Sequence, residues 1–290
     1  MITDAEKFAA LQKLTLMDDF FMRLFFRDNI PCTERMLRVI LNEPDLTVES
    51  VKVQYVITAG DDSRSVRLDI WALERDGTQI DAEIQNDSSG ASPQRARYNS
   101  AMLDVNILKP NEHYSVLKRR KSIVIFITEK DVLGEGEPIY IIDRVIMKSG
   151  KPFNDGSHIV YVNASYQDIS TELGRLMHDF HCVKPEDMFD SVFAKKAGEM
   201  KGVEKMGVLD DWEREAEARG EAKGKAEGLA EGRIEGRTEG RIEGKANGIA
   251  EASESIARRL INAGSLALEE IADACGLTMQ HVERLARART

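Results

Sequence analysis

Two acidic side chains in one predicted β-hairpin have the types and spacing that metal-dependent chemistry requires. The segment VRLDIWALERDGTQIDAEIQN, residues 66–86, carries Asp69 in its first half and Glu83 in its second half. Carboxylate oxygens are hard ligands that suit Mg²⁺ or Mn²⁺, so a pair of them predicts a divalent-metal site. Gln85 lies two residues beyond Glu83 and therefore on the same strand face, where its amide can orient a water molecule by hydrogen bonds.

The turn of this hairpin predicts how close the two carboxylates lie. A three-residue loop ending at Gly77, with that glycine in the left-handed region, pairs Glu74 with Thr78. The register then places Asp69 directly across from Glu83, with Cβ atoms roughly 5 Å apart. Two acids at that separation raise each other's pKa unless a cation lies between them. The same register is expected to form three apolar pairs: Ala72–Ile80, Ile70–Ala82 and Leu68–Ile84.

A second interpretation of these acids remains open from the hairpin alone. One face of an antiparallel hairpin is commonly solvated, and Asp69 and Glu83 would then be incidental members of a polar surface. A metal site needs both side chains to be held together by neighbouring elements. The positions of those elements therefore decide between the two interpretations.

Periodicity predicts the elements that surround the hairpin. Residues 18–42 are apolar at helical spacing and are interrupted near Pro31, whereas three later segments alternate as strands do. Ser92 followed by Pro93 marks the start of a helix that is expected to end before Pro110. The strands are predicted at 54–58, 66–74, 79–87, 121–128, 139–146 and 158–164, and further helices at 171–182 and 185–200. The predicted fold class is α/β (α+β).

The chain is expected to divide into three parts, 1–200, 201–252 and 253–290. In the middle part glycine recurs at every fourth residue from Gly220 to Gly248. If that part is helical, the glycines form a groove for a partner helix, which predicts a homodimer through residues 213–250; a frayed, repeat-expanded spacer is the alternative. The last part shows three short amphipathic segments and resembles a helix-turn-helix unit, with a helical cap for oligomerisation as the alternative.

Composition restricts the classes of protein to which the chain can belong. The net charge is −10, so nucleic acid binding would depend on local basic patches. No apolar stretch approaches the roughly 20 residues that cross a bilayer, so no membrane partner is expected. The three cysteines lie far apart and the sequence starts with acidic residues, which together predict a cytoplasmic protein without a disulfide framework.

The order of helix, three strands, helix and strand, with Asp69 on the second strand and Glu83-Ile84-Gln85 on the third, resembles the PD-(D/E)XK nuclease superfamily. The chain looks like its recombination-promoting nuclease and putative transposase family, whose members pair an Asp with Glu-x-Lys or Glu-x-Gln on the next strand. The likeness extends over about residues 15–200, and residues 19–23 (DFFMR) resemble the early D-x-x-F-K helix of that family. Further similar segments are SPQRARYNSAMLD, VIFITEKDVLG, FNDGSHIVYVNASY and LMHDFHC.

The resemblance implies a restriction-endonuclease-like mixed sheet flanked by helices and followed by a helical C-terminal extension. It also implies a metal-dependent DNA endonuclease associated with transposition or recombination, with Mg²⁺ or Mn²⁺ as cofactor. Asp69, Glu83 and the backbone carbonyl of Ile84 would hold the metal, Gln85 would position the attacking water, and Asp19 is a candidate additional ligand that alternatively caps its helix.

Two arginines complete the site that the resemblance implies. Arg95 and Arg97 would bind DNA phosphates near the start of their helix, or else be ordinary solvated arginines. Tyr98 is interpreted as a helix-packing residue, with base stacking as the alternative. Gln85 replaces the lysine in the name of the superfamily, which leaves open a catalytically weak or inactive nuclease-fold protein that acts as a DNA-binding or assembly module.

Overall fold

The computed structural model describes residues 4–60, 64–86, 88–202, 244–245, 248, 251–264 and 266–287. The chain divides into two compact units, Met1–Glu213 and Arg214–Thr290. Among the described residues, no helix combines the length and the apolar composition that crossing a bilayer requires. Cys32, Cys182 and Cys275 are all buried and free, so the expectation of a chain without disulfides is confirmed.

The first unit contains helices and strands that follow one another in groups. The helices are α1 (Asp4–Leu11), α2 (Asp19–Phe26), α3 (Ile30–Leu41), α4 (Pro93–Ile107), α5 (Glu172–His181) and α6 (Ser191–Lys201). The strands are β1 (Val48–Ile57), β2 (Val66–Glu74), β3 (Gln79–Gln85), β4 (Ser122–Thr128), β5 (Ile139–Ile142), β6 (Val145–Ile146), β7 (Lys151–Pro152) and β8 (Ser157–Asn163). Three 3-10 turns lie at Ser88–Ala91, Tyr114–Lys118 and Pro185–Asp187.

Six of these strands form one mixed sheet in the order β1-β2-β3-β4-β8-β5. The pairs β1–β2, β2–β3 and β8–β5 are antiparallel, whereas β3–β4 and β4–β8 are parallel. Parallel neighbours need a crossover connection, and α4 supplies the one between β3 and β4. The predicted mixed α/β class, with a sheet flanked by helices and a helical C-terminal region, is confirmed.

Helices cover both faces of the sheet and form a hydrophobic cluster with it on each face. On one face, residues from α1, α2, α3, α5 and α6 join the strands in the larger hydrophobic cluster, where the ring of Phe25 lies 5.2 Å from that of Phe193. On the other face, Ala96 and Leu103 of α4 share a cluster with Val124 and Phe126 of β4. All seven residues of β4 are buried, as expected for a strand covered on both sides.

The local signals for helix ends are mostly confirmed. The Oγ atom of Ser92 accepts the backbone N–H of Arg95, and Pro93 is the first residue of α4. The break in residues 18–42 falls between α2 and α3, and Pro31 lies in the first turn of α3. A proline is tolerated there because the first N–H groups of a helix have no intrahelical partner.

Three predicted elements have different boundaries in the structure. The strand predicted at 54–58 is part of β1, which begins at Val48 and ends at Ile57. Residues 139–146 form two strands, β5 in the main sheet and β6 in a separate hairpin with β7, because the chain leaves the sheet at Asp143. Residues 185–200 do not form one helix: a 3-10 turn is followed by α6, whose first turn Asp190 caps by accepting the N–H groups of Val192 and Phe193.

Among the described residues of the second unit, residues 251–263 (α7), Leu268–Cys275 (α8) and Met279–Arg287 (α9) are helical, as predicted for the C-terminal part. Gly276 ends α8 in the left-handed conformation, with φ of +64°. Buried Ile261, Ile271 and Val282 contribute to a small core of their own. The predicted glycine groove and the homodimer through residues 213–250 lie almost entirely outside the described residues.

Glu74, at the end of β2, gives the fold a pH dependence. Burial, with the charges of Asp76 and Glu43, raises the pKa of Glu74 to about 7, above the value of about 4.3 for an unfolded chain. The folded state therefore binds more protons than the unfolded state between these values, so the free energy of unfolding falls as pH rises through that window. We expect Glu74→Gln to raise the melting temperature at pH 8 and to have a smaller effect at pH 4.

Thermal unfolding at pH 4, 6 and 8 tests this expectation. Glu49→Gln, at an exposed position of β1, is the matched control. A benefit of Glu74→Gln that does not grow with pH would show that the Glu74 charge does not destabilise the folded state.

Candidate active site

The hairpin of β2 and β3 has the predicted register next to its turn. Ile70 pairs with Ala82 and Ala72 pairs with Ile80. The N–H of Glu74 donates to the Thr78 carbonyl at 2.9 Å, and Gly77 has φ of +91°. The turn residues and the inner half of the ladder are therefore confirmed.

The outer half of the hairpin departs from the predicted register. The β2–β3 ladder ends at Ile70–Ala82, so Asp69 and Glu83 are not a cross-strand pair. Instead, the Asp69 side chain enters the space between the strands, where its Oδ2 accepts the Ile84 N–H at 3.3 Å. The predicted Leu68–Ile84 pair is also wrong, because Leu68 packs in the cluster under α4 and Ile84 packs in the cluster on the opposite face.

A distortion in β1 accounts for this departure. Gln54 lies opposite Asp69 with φ of +54°, and its Nε2 donates to Asp69 Oδ1 at 3.2 Å. The β1–β2 pairs on either side are Val53–Ile70 and Tyr55–Leu68. The first pair packs with the larger cluster and the second with the cluster under α4. Both strands thus exchange faces at this point, which the alternating sequence pattern could not indicate.

Glu83 lies under α4 and is completely buried, together with a second acid of β3, Asp81. Arg95 forms an ion pair with Glu83 Oε2, and Gln85 Nε2 donates to the same oxygen at 3.2 Å. The amide of Asn99 donates to Glu83 Oε1 at 3.3 Å and to Asp81 Oδ2 at 2.9 Å. These acids are not part of a solvated surface, so that interpretation is wrong for β3.

The three neighbouring carboxyl groups have raised pKa values. Burial raises the pKa of Glu83, and the charges of Asp81 and Asp69 add to this effect, whereas Arg95 opposes it. Burial also raises the pKa of Asp81, and the charge of Asp69 raises it further. The pKa of Asp69 is raised by burial and then by the charge of Asp19. Three ionised carboxylates at one buried place require more positive charge than Arg95 supplies.

One oxygen of this acidic cluster, which we define as Asp69, Asp81 and Glu83, lacks a donor. Asp81 Oδ1 is buried and has no hydrogen-bond partner among the described residues. The cluster is therefore suited to hold either a proton or a cation.

The donor set fits Mg²⁺ or Mn²⁺. Asp69 and Glu83 supply carboxylate oxygens, which these cations prefer. Within a strand, the N–H and the carbonyl of one residue point to the same side, so the Ile84 carbonyl faces the gap that the Asp69 side chain enters. The structure thus brings together the predicted metal ligands, and Gln85 lies beside them through its bond to Glu83.

Asp19 lies near the cluster but does not cap its helix. Asp18 occupies the N-cap position and Asp19 is the first residue of α2, so the capping alternative is wrong. The Asp19 carboxylate forms an ion pair with Arg23 at 2.8 Å and is largely exposed. Its charge nevertheless raises the pKa of Asp69, so Asp19 affects the site through its charge.

The predicted phosphate-binding arginines occupy different environments. Arg95 is tied to Glu83, donates to the Gly90 carbonyl at 3.0 Å and lies over the Phe126 ring. Arg97 is exposed and is not among the described residues that line the pocket beside Arg95. Tyr98 is 38% exposed, so it is not a core residue, and its hydroxyl donates to the Arg64 carbonyl.

Sequence reasoning missed several residues that build the site. Asp81 and Asn99 are central to the buried network, Gln54 positions Asp69, and Arg64 and Arg67 line the neighbouring pocket. The alternation of polar residues on β3, from Gln79 through Asp81 and Glu83 to Gln85, was the available signal for Asp81. The others depend on contacts between elements that are distant in sequence.

A separate group of donors lies at the end of α5. His178 Nδ1 is 3.3 Å from Cys182 Sγ and 3.4 Å from Asp179 Oδ1. Asp179 is buried and accepts the N–H groups of Phe189 and Asp190, each at 2.8 Å. This group fixes the connection between α5 and α6 by hydrogen bonds.

Comparison of the chain with models of known protein families, with curated proteins and with solved structures finds no match.

Asn99 provides a test of this buried network. We expect Asn99→Ala to lower the free energy of unfolding by about 1–3 kcal/mol, because both β3 acids lose a donor. The loss is expected to be larger at pH 9 than at pH 6, since ionised carboxylates depend on that donor more than protonated ones do. Denaturant unfolding at the two pH values measures it.

Asn106→Ala on the same helix is the comparison, because Asn106 donates to Gln79 rather than to an acid. Its effect should not depend on pH. Equal losses for Asn99→Ala at pH 6 and pH 9 would contradict the electrostatic account of the network.

Proposed function

We propose that the chain is a metal-dependent endonuclease that hydrolyses phosphodiester bonds in DNA, with a restriction-endonuclease-like fold of the PD-(D/E)XK type. One observation carries the proposal: Asp69 leaves the β2–β3 ladder and, beside the buried Glu83, enters the gap that the Ile84 backbone faces. A solvated acid has no structural reason to replace a strand ladder. The association with transposition or recombination, the cytoplasmic location and the homodimer belong to the same proposal.

Asp69, Glu83 and the Ile84 carbonyl would hold Mg²⁺ or Mn²⁺. When bound there, such a cation polarises a phosphoryl oxygen and lowers the pKa of a coordinated water. The residues of the chain supply the rest. Gln85 is bonded to Glu83, so its amide is held where it can orient a water molecule at the cluster.

In the proposed site, Arg95 supplies the positive charge that a lysine commonly supplies in this superfamily. Its guanidinium group reaches Glu83 from α4 while its flank rests on Phe126. An arginine stays charged at every physiological pH and matches the geometry of a phosphate. If Glu83 held a metal ion, Arg95 would be released from its ion pair and could bind a phosphate of the substrate.

The same ion pair favours a second candidate function. Because Arg95 partly neutralises the cluster, and because Gln85 carries no charge, a nuclease fold that binds DNA or assembles with a partner without cutting it is the alternative. The two functions differ in one observable property, which is cleavage that depends on Glu83.

Metal-induced stabilisation tests the ligand set. We expect Mn²⁺ to raise the melting temperature of the parent protein, since a ligand that binds only the folded state stabilises it. The rise should be larger at pH 8 than at pH 6, because binding must displace a proton from the cluster. Asp69→Asn should lose the response, and Arg95→Gln should enhance it by removing the competing cation.

Differential scanning fluorimetry over a Mn²⁺ titration measures these shifts. Asp104→Asn, which removes the charge of an acid of α4 that is not part of the cluster, is the control. Equal shifts in the parent and in Asp69→Asn would contradict the metal site.

Plasmid nicking in Mg²⁺ or Mn²⁺ tests the reaction. Glu83→Gln is expected to lower the nicking rate by about 100-fold or more, because the metal supplies most of the charge stabilisation in such reactions. Gln85→Ala should lower the rate less, and Gln85→Lys should preserve or raise it. Glu49→Gln, the same acid-to-amide change at an exposed position of β1, serves as the control.

Nicking that is the same in the parent and in Glu83→Gln would place the activity elsewhere or in a contaminant. Metal binding without any nicking would favour the alternative function.

A further inference from the structure

A pocket opens between the start of β2 and the start of α4. It has a volume of about 650 Å³, and its lining residues include Arg64, Arg67, Arg95 and Tyr98. The volume lies within the range of about 300–1,000 Å³ that is usual for small-molecule sites. Among the described residues that line this pocket, the proposed nuclease function gives a role to Arg95 alone.

The charge of the pocket contrasts with that of the protein. Three arginines line it, whereas the whole chain has a net charge of −10. Among the described residues that line the pocket, the others are neutral and none is acidic. A concave surface that concentrates one sign of charge attracts a ligand of the opposite sign, and arginines suit a phosphate in particular.

Tyr98 adds an aromatic surface to this basic pocket. Its hydroxyl donates to the Arg64 carbonyl at 2.6 Å, which fixes the ring against the segment that carries the arginine. The side chain is nevertheless 38% exposed. An exposed ring held in place among arginines is typical of sites where a nucleic acid base stacks beside its own phosphate.

The pocket is continuous with the acidic cluster. Arg95 and Asn99 line the pocket, and the same two side chains bond to Glu83. A ligand in the pocket therefore lies one side chain away from the carboxylates. The size also limits the ligand, because a pocket of this volume has room for a nucleotide and not for the two strands of a double helix.

We propose that this pocket binds one nucleotide of an unpaired DNA strand, with the phosphate on Arg64 and Arg67 and the base on Tyr98. The inference rests on the proposed nuclease function and adds its substrate class: the pocket selects an unpaired strand and places the adjoining phosphodiester bond at the acidic cluster. Arg64 and Arg67 contact no member of that cluster in the described hydrogen bonds, so they bind substrate without holding metal.

Binding of labelled oligonucleotides to the full chain, in EDTA so that no cleavage occurs, tests this inference. Fluorescence anisotropy is measured with a single-stranded DNA, the duplex of the same sequence and the corresponding single-stranded RNA. The single-stranded DNA is expected to bind at least tenfold more tightly than the duplex. The double variant Arg64→Gln/Arg67→Gln should weaken that binding at least tenfold and flatten the log–log salt slope by about 1.4, since each phosphate contact on a single strand contributes about 0.7.

Three further variants separate the parts of the pocket. Tyr98→Phe keeps the ring and should retain most of the affinity, whereas Tyr98→Ala should lose about tenfold. Arg119→Gln removes an exposed arginine that does not line the pocket, and should bind like the parent. Melting temperatures close to that of the parent show that each variant is folded, as expected for substitutions at exposed positions.

The outcomes distinguish this inference from the proposed function. If the pocket variants bind as the parent does, or if the duplex or the RNA binds as tightly as the single-stranded DNA, the inference is overturned, whether or not the protein cuts. If binding depends on Arg64, Arg67 and Tyr98 as expected while nicking in Mn²⁺ does not depend on Glu83, the pocket stands and the nuclease function fails.

Discussion

The burial of carboxyl groups beneath α4 is the constraint on which the rest of the candidate site depends. Asp81 and Glu83 have no access to water, so their charges must be balanced by side chains of the protein, by protons or by a cation. Asn99 and Arg95 supply part of that balance from α4. The helix can do so only if it lies close over β3, and its packing with Val124 and Phe126 keeps it there. The hydrophobic cluster therefore positions the hydrogen-bond donors that stabilise the two buried acids.

A second constraint acts at the edge of the sheet. At Gln54 and Asp69, β1 and β2 exchange their faces, so that Val53 and Ile70 serve the larger cluster while Tyr55 and Leu68 serve the cluster under α4. A positive φ at a residue other than glycine is unfavourable and persists only where its surroundings favour it. Here the Gln54 amide bonds to Asp69. The distortion is thus the means by which a strand delivers a carboxylate between two strands instead of to one face.

Sequence patterns predicted the elements better than the contacts between them. The strands β2, β3 and β4, the Ser92 cap and the Gly77 turn follow from local rules of spacing and backbone conformation, and the structure has them. The pairing of Asp69 with Glu83 did not follow, because it assumed that alternation continues to the end of the ladder. Alternation describes an undistorted strand, and the distortion depends on Gln54 in another strand. The sequence likewise did not indicate Asn99, Arg64 or Arg67, because their contacts depend on tertiary packing between elements that are distant in sequence.

The replacement of lysine by Gln85 acquires a physical explanation from these contacts. A lysine at this position would bring its charge on the strand that carries Glu83, whereas here the charge arrives from α4 through Arg95. Gln85 remains close to Glu83 because the chain at Gly90 has no side chain: a Cβ there would lie 2.0 Å from Gln85 Oε1. Water orientation and positive charge are thus divided between two residues on two elements. An arginine on a helix can leave Glu83 without disturbing the strand, which links the acidic cluster to the pocket that Arg95 also lines.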